Sequence, residues 1–113
     1  MTVDLRSHLD LDACIDQMRE LIRIPSVNPP DGGPDVAAGR DPRGGETAAA
    51  RYCADVLESE GIVAEVIELV PGRGSCIARL RANGPATEPP LILLRHLDVV
   101  PVDAESWTRD PVP

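Results

Sequence analysis

His96 and Asp98 stand two apart in the run Arg95-His96-Leu97-Asp98, directly after the aliphatic residues Leu91-Ile92-Leu93-Leu94. In an extended strand, side chains two apart share a face, so the imidazole and the carboxylate can act together. A neutral imidazole binds a metal ion through one nitrogen. A carboxylate that accepts the N–H of the other nitrogen fixes the tautomer and the ring orientation and raises the ring's basicity. The chemistry suggested is metal ligation by His96, oriented by Asp98. Alone, His-x-Asp is a weak signal, matched more often by an ordinary surface or hydrogen-bonded pair than by a ligand.

Other residues of the right types compete poorly for such a role. Asp103, Glu105 and Asp110 follow the pair in a Pro-bounded turn and read as a solvated loop. His8 lies in a polar tail, where solvent exposure is the default. The three cysteines, Cys14, Cys53 and Cys76, fit neither a disulfide framework nor a Cys-x-x-Cys zinc pattern. Cys14 and Cys53 fall on apolar helical faces and Cys76 in a strand, which predicts buried, reduced thiols.

The elements that must position the pair follow from hydropathy patterning. Leu11, Cys14, Ile15, Met18, Leu21 and Ile22 recur at three- and four-residue intervals, predicting an amphipathic helix over 10–24, capped by Asp10 and stopped by Pro25. Residues 25–45 hold five Pro and five Gly without period and read as a long surface loop. That loop has no regular Pro-x-x-Pro register and no basic flanks, which disfavours a polyproline-type interaction module. A second helix is predicted over 46–60, with Ala49, Tyr52, Cys53, Val56 and Leu57 on one face and Gly61 ending it. Strands over 62–69 and 75–81, joined through Pro71-Gly72-Arg73-Gly74, form an expected antiparallel hairpin. The unalternating run 91–94 predicts a central strand covered on both faces. Together these elements open an α/β domain, a mixed sheet with helices packed on it, and the pair would lie beyond the carboxyl end of the central strand, where ligands collect in open α/β sheets.

Composition narrows the function classes. The 113 residues are 42% hydrophobic but include one Trp, one Tyr and no Phe, so Ala and aliphatic side chains must build a thin core. A net charge of −8, from 19 acidic and 11 basic residues, disfavours nucleic acid and anionic membranes as partners. The opening residues carry acids and no unbroken apolar stretch, so neither a secretory signal nor a membrane span is expected, and the cytoplasm is the expected location.

The run LILLRHLDVVPVDAESWTRDPVP over 91–113 resembles the M20 family of metallopeptidases and amidohydrolases. Its members include aminoacylases, acetylornithine and succinyl-diaminopimelate deacylases and carboxypeptidases. They share a strand leading into His-x-Asp-Val-Val-Pro, here 96–101, and then a Trp-x-x-Asp-Pro turn, here 107–111. Ile-Pro-Ser-Val-Asn-Pro at 24–29 and Gly45-Glu46-Thr47 extend the resemblance to about nine-tenths of the chain.

The resemblance implies that residues 1–113 are the N-terminal, incomplete portion of a zinc-peptidase (aminopeptidase-like) catalytic domain. It implies that His96 is a ligand of one ion of a Zn²⁺ pair, with Co²⁺ an alternative, and that Asp98 is the catalytic-site acid orienting it. The reaction implied is hydrolysis of amide bonds in N-acyl amino acids or small peptides, by two metals roughly 3.5–4 Å apart that share a bridging water. In the family the Glu base, the neighbouring Glu ligand, a bridging Asp and a later His all lie well downstream. The chain alone is therefore expected to be inactive, the alternative being a non-catalytic truncated fragment that binds at most one metal weakly. Full-length relatives are often homodimers. Two positions depart from the family pattern: Arg95 stands where Gly or Ser is common, bringing a positive charge beside a dication, and Val112 stands where an aromatic usually follows the Pro. Trp107 is expected to anchor the turn by packing.

Overall fold

The computed structural model describes residues 4–28 and 45–111. Residues 29–44, most of the predicted Pro- and Gly-rich loop, lie outside the described residues, as does Val112.

Helix α1 runs Leu11–Ile22, with the Asp10 side chain accepting from the Ala13 N–H at 3.0 Å as predicted for its cap. Helix α2 runs Gly45–Ser59. It ends in a Schellman turn: Gly61 adopts φ 77°, its N–H bonds to the Glu58 carbonyl at 2.9 Å, and the Ile62 N–H bonds to the Leu57 carbonyl at 2.9 Å. Only glycine takes that backbone conformation without a Cβ penalty, which is why the helix stops there. A short 3₁₀ turn, Leu5–His8, precedes α1, and a second, Ala104–Ser106, follows the candidate pair.

Strands β1, Ala64–Val70, and β2, Arg73–Ala78, pair antiparallel with Ala64 opposite Ala78 and Glu68 opposite Gly74. The register shifts between Glu68 and Val70, so Leu69 is the extra residue of a bulge and is left exposed. Gly72, at φ 79°, makes the turn.

Helix α2 packs against this hairpin, and the core is small: among the described residues the buried apolar side chains are Ala49, Ala50 and Ala54, all from α2. Short side chains bring the helix close to the sheet, and at Gly74 an ideal Cβ would lie 2.9 Å from the Cα of Thr47. The buried line is Thr47, Ala50 and Ala54, with Tyr52, Cys53, Val56 and Leu57 half-buried beside it. Around the first turn of α2, Arg73 Nε lies 2.8 Å from Glu46 Oε2 without hydrogen-bond alignment, and the Thr47 hydroxyl bonds to Glu68.

The observed architecture is thus a small mixed α/β fold of two helices and a two-stranded antiparallel sheet. Three expectations need correction. The run 91–94 is not a buried central strand: it belongs to no sheet, and its four side chains are 82–88% exposed. The described residues place no strand beside it, and its aliphatic content alone cannot supply a partner. Only α2, not α1, packs on the sheet. The apolar stripe of α1 is open to solvent, and none of its residues is buried, so Cys14 is exposed where a buried thiol was predicted. Trp107, expected to pack, is 58% exposed.

Candidate functional site

The residues that hold the His96 segment come from the far end of the described chain. After α1, Pro25 and Pro29 flank Ser26-Val27-Asn28, and a residue preceding proline is driven toward extended backbone. Val27 forms a parallel bridge with Val99. Three hydrogen bonds fix this pairing: the Val99 N–H to the Ser26 carbonyl at 2.9 Å, the Asn28 N–H to the Val99 carbonyl at 2.8 Å, and the Ser26 hydroxyl to the Leu97 carbonyl at 2.8 Å. The Gly45 N–H bonds to the Pro25 carbonyl at 2.9 Å, tying the start of α2 to the same strip of backbone. A short apolar groove lined by Leu21, Ile24, Val27, Val99 and Val102 lies alongside.

Within this frame the predicted pair is brought together. His96 Nδ1 lies 3.1 Å from Asp98 Oδ1 and 2.9 Å from the Asp98 carbonyl oxygen. Neither partner has a hydrogen to give, since a carbonyl oxygen only accepts, as does an ionised carboxylate. Nδ1 must therefore carry the hydrogen, donating to both, and in the neutral ring Nε2 is left with its lone pair. The His96 side chain is 85% exposed and that of Asp98 25%, so the orienting acid is sheltered while the ring projects into solvent. Such an arrangement offers one imidazole donor, pre-set in tautomer and direction.

It does not offer a closed ligand set. Among the described residues there is no group of three or more His, Cys, Asp or Glu side chains placed to hold a metal ion. Asp103 is used locally, accepting from the Glu105 N–H at 3.2 Å and the Ser106 hydroxyl at 2.7 Å to cap the 3₁₀ turn. Glu105 and Asp110 are exposed, as is His8. The thiols of Cys53 and Cys76 are pushed above their ordinary value by burial first, then by negative charge nearby, that of Glu58 on Cys76 and that of the Cys76 thiolate, once it forms, on Cys53, so both are held protonated and poorly nucleophilic. Arg95 is exposed next to His96.

The sequence pattern points to His96 and Asp98 but to no role for Ser26 or Asn28. Ser26 is 4% exposed, and the Asn28 Oδ1 is buried without a hydrogen-bond partner. A two-residue spacing of polar groups around Val27, between prolines that enforce extension, was the signal present. It is too short for periodicity to register.

No helix among the described residues is long and apolar enough to cross a membrane. Comparison with protein-family models, with curated proteins and with solved structures finds no match for this chain.

Proposed function

We propose that this chain carries the first metal ligand of an M20-type metallohydrolase that cleaves amide bonds in N-acyl amino acids or small peptides, His96 being the ligand and Asp98 the acid that orients it. The observation carrying this reading is the Nδ1 of His96 held by two acceptors of Asp98, which leaves an exposed Nε2 lone pair. The order of sequence elements around it supports the family assignment: Ile-Pro-Ser-Val-Asn-Pro, then Gly-Glu-Thr, then His-Leu-Asp-Val-Val-Pro, then Trp-Thr-Arg-Asp-Pro. On this reading the fold is part of a zinc-peptidase catalytic domain. The free thiols suit a reducing compartment such as the cytoplasm.

The described residues fit one ligand position and fall short of the three protein ligands that a zinc enzyme takes. A Zn²⁺ or Co²⁺ pair, when bound, supplies polarisation of the scissile carbonyl and acidification of the attacking water. This chain's own part is narrower: His96 presents Nε2, and Asp98 holds the Nδ1 hydrogen and the ring plane. In the family the base and the remaining ligands lie well downstream of the histidine that His96 matches.

A second reading is a non-catalytic protein with weak binding of a single metal, favoured by the absence, among the described residues, of a group of three or more metal-ligating side chains. Calorimetric titration of the 113-residue chain with Zn²⁺, beside His96→Ala and an amidase assay on N-acetyl amino acids, separates the two. Two-site binding with turnover, both lost in His96→Ala, supports the metallohydrolase, whereas weak one-site binding abolished by His96→Ala, without turnover, supports the second reading and keeps His96 as the ligand. Binding unaffected by His96→Ala removes the proposal.

A further inference from the structure

The hydrogen bonds of Ser26 are unusual in where they land. Its hydroxyl donates to the Leu97 carbonyl at 2.8 Å, and its own carbonyl accepts the Val99 N–H at 2.9 Å. Those two groups belong to the peptide units on either side of Asp98. Ser26 therefore grips the backbone before and after one residue, across a separation of 71 positions from Ser26 to Leu97. The Asn28 N–H, bonding the Val99 carbonyl at 2.8 Å, continues the grip one peptide unit further on. Ser26 is 4% exposed, so its bonds face little competition from water.

Fixing both peptide planes around Asp98 fixes the direction of its Cα–Cβ bond, and with it the position of the carboxylate that meets His96 Nδ1 at 3.1 Å. The Asp98 carbonyl that also accepts from Nδ1, at 2.9 Å, is part of the same gripped peptide unit as the Val99 N–H. Both acceptors that set the imidazole tautomer are thus held by one side chain and its carbonyl. We propose that Ser26 is the positioning residue of the His96–Asp98 pair: its two oxygens lock the backbone around Asp98 and thereby hold His96 in the Nδ1–H tautomer with Nε2 open. The inference rests on the proposed ligand role only for its consequence in metal binding, because the tautomer exists without metal. In an unconstrained imidazole the Nε2–H form predominates, so the lock has a visible signature.

The test is ¹⁵N NMR of the metal-free chain, with the imidazole neutral, reading which ring nitrogen of His96 carries hydrogen. The native chain is expected to show Nδ1–H as the major form and a slowly exchanging Ser26 hydroxyl proton. Ser26→Ala is expected to lose the Nδ1–H majority, and Ser26→Thr, which keeps the hydroxyl, to restore it. Ala54→Gly, which loosens the core under α2 without touching the clamp, is expected to leave the tautomer as in the native chain. A native-like tautomer in folded Ser26→Ala overturns the proposal, as does a shift in Ala54→Gly equal to that in Ser26→Ala. Should Ser26→Ala not fold, the native chain decides: a freely exchanging Ser26 hydroxyl or an Nε2–H majority overturns it. A subsequent Zn²⁺ titration that fails despite the locked tautomer would count against the metal reading alone.

Discussion

Replacing Gly74 by Ala tests how the core supports the site. A Cβ built at Gly74 would meet Thr47 Oγ1 at 2.8 Å, its Cα at 2.9 Å and its Cβ at 3.1 Å. Comfortable separations between such atoms are about 3.5–4.0 Å, so α2 must lift by roughly 0.5–1 Å. Rotating the Thr47 side chain cannot relieve the clash, because one of the crowded atoms is part of the helix backbone. Overpacking of this kind costs about 1–3 kcal/mol. With a urea m-value of roughly 1 kcal/mol/M for so small a domain, the midpoint should fall by about 1–3 M, or the cooperative transition should disappear. The displacement also travels: the Thr47 N–H bonds to the Gly72 carbonyl at 3.1 Å and the Gly45 N–H to the Pro25 carbonyl at 2.9 Å, one residue before Ser26. Amide exchange of Val99 should therefore accelerate as well. Urea unfolding followed by far-UV circular dichroism, with Gly84→Ala as a control that meets nothing within 4 Å, makes the comparison. A Gly74→Ala midpoint equal to that of Gly84→Ala would refute the close helix–sheet approach.

Further outcomes follow from the thiols, the exposed run and Arg95. Cys14 is exposed and should alkylate well before Cys53 and Cys76, whose burial keeps them protonated; mass spectrometry of partially labelled chain reads the order. Because the folded-state values of Cys53 and Cys76 lie above the ordinary 9.0, the folded chain binds more protons above that pH. Their contribution to stability is then full below pH 9.0 and lost as pH rises through the raised values, so urea midpoints should fall on the alkaline side, and less so in Cys53→Ala/Cys76→Ala. Amides of 91–94 have no hydrogen-bond partner among the described residues and should exchange at nearly unfolded rates by hydrogen-exchange NMR; strong protection there would mean that a partner covers them. Arg95→Ser should tighten Zn²⁺ binding about two- to four-fold in calorimetry, since a guanidinium roughly 10 Å from a dication in water opposes it by about 0.8 kcal/mol before salt screening.

The local part of the fold was legible in the sequence because local chemistry decides it. Asp10 as a cap, Gly61 as a helix stop and the Gly72 turn are choices made within a few residues, and each stands where the pattern placed it. The strands depart from expectation at their ends: Ile62 and Val63 lie outside β1 and Arg79, Leu80 and Arg81 outside β2, whereas Arg73 and Gly74, expected in the loop, pair with Val70 and Glu68. The run 91–94 departs from expectation because an unbroken aliphatic segment reports only that burial would be favourable. Whether burial occurs depends on neighbours, and the described residues supply none. The same holds for the apolar stripe of α1. At the site, the two-residue spacing of His96 and Asp98 carried their pairing. Ser26 escaped notice because its bond to Leu97 spans 71 positions and leaves no local periodicity.

In the proposed function His96 binds metal through Nε2. Following both ring nitrogens by ¹⁵N NMR as Zn²⁺ is added to the chain tests it most directly. A change at Nε2 is expected, with Nδ1 retaining its hydrogen and its bond to Asp98, and no such change for His8. Equal responses of His96 and His8, or metal entering at Nδ1 with loss of the Asp98 bond, would contradict it.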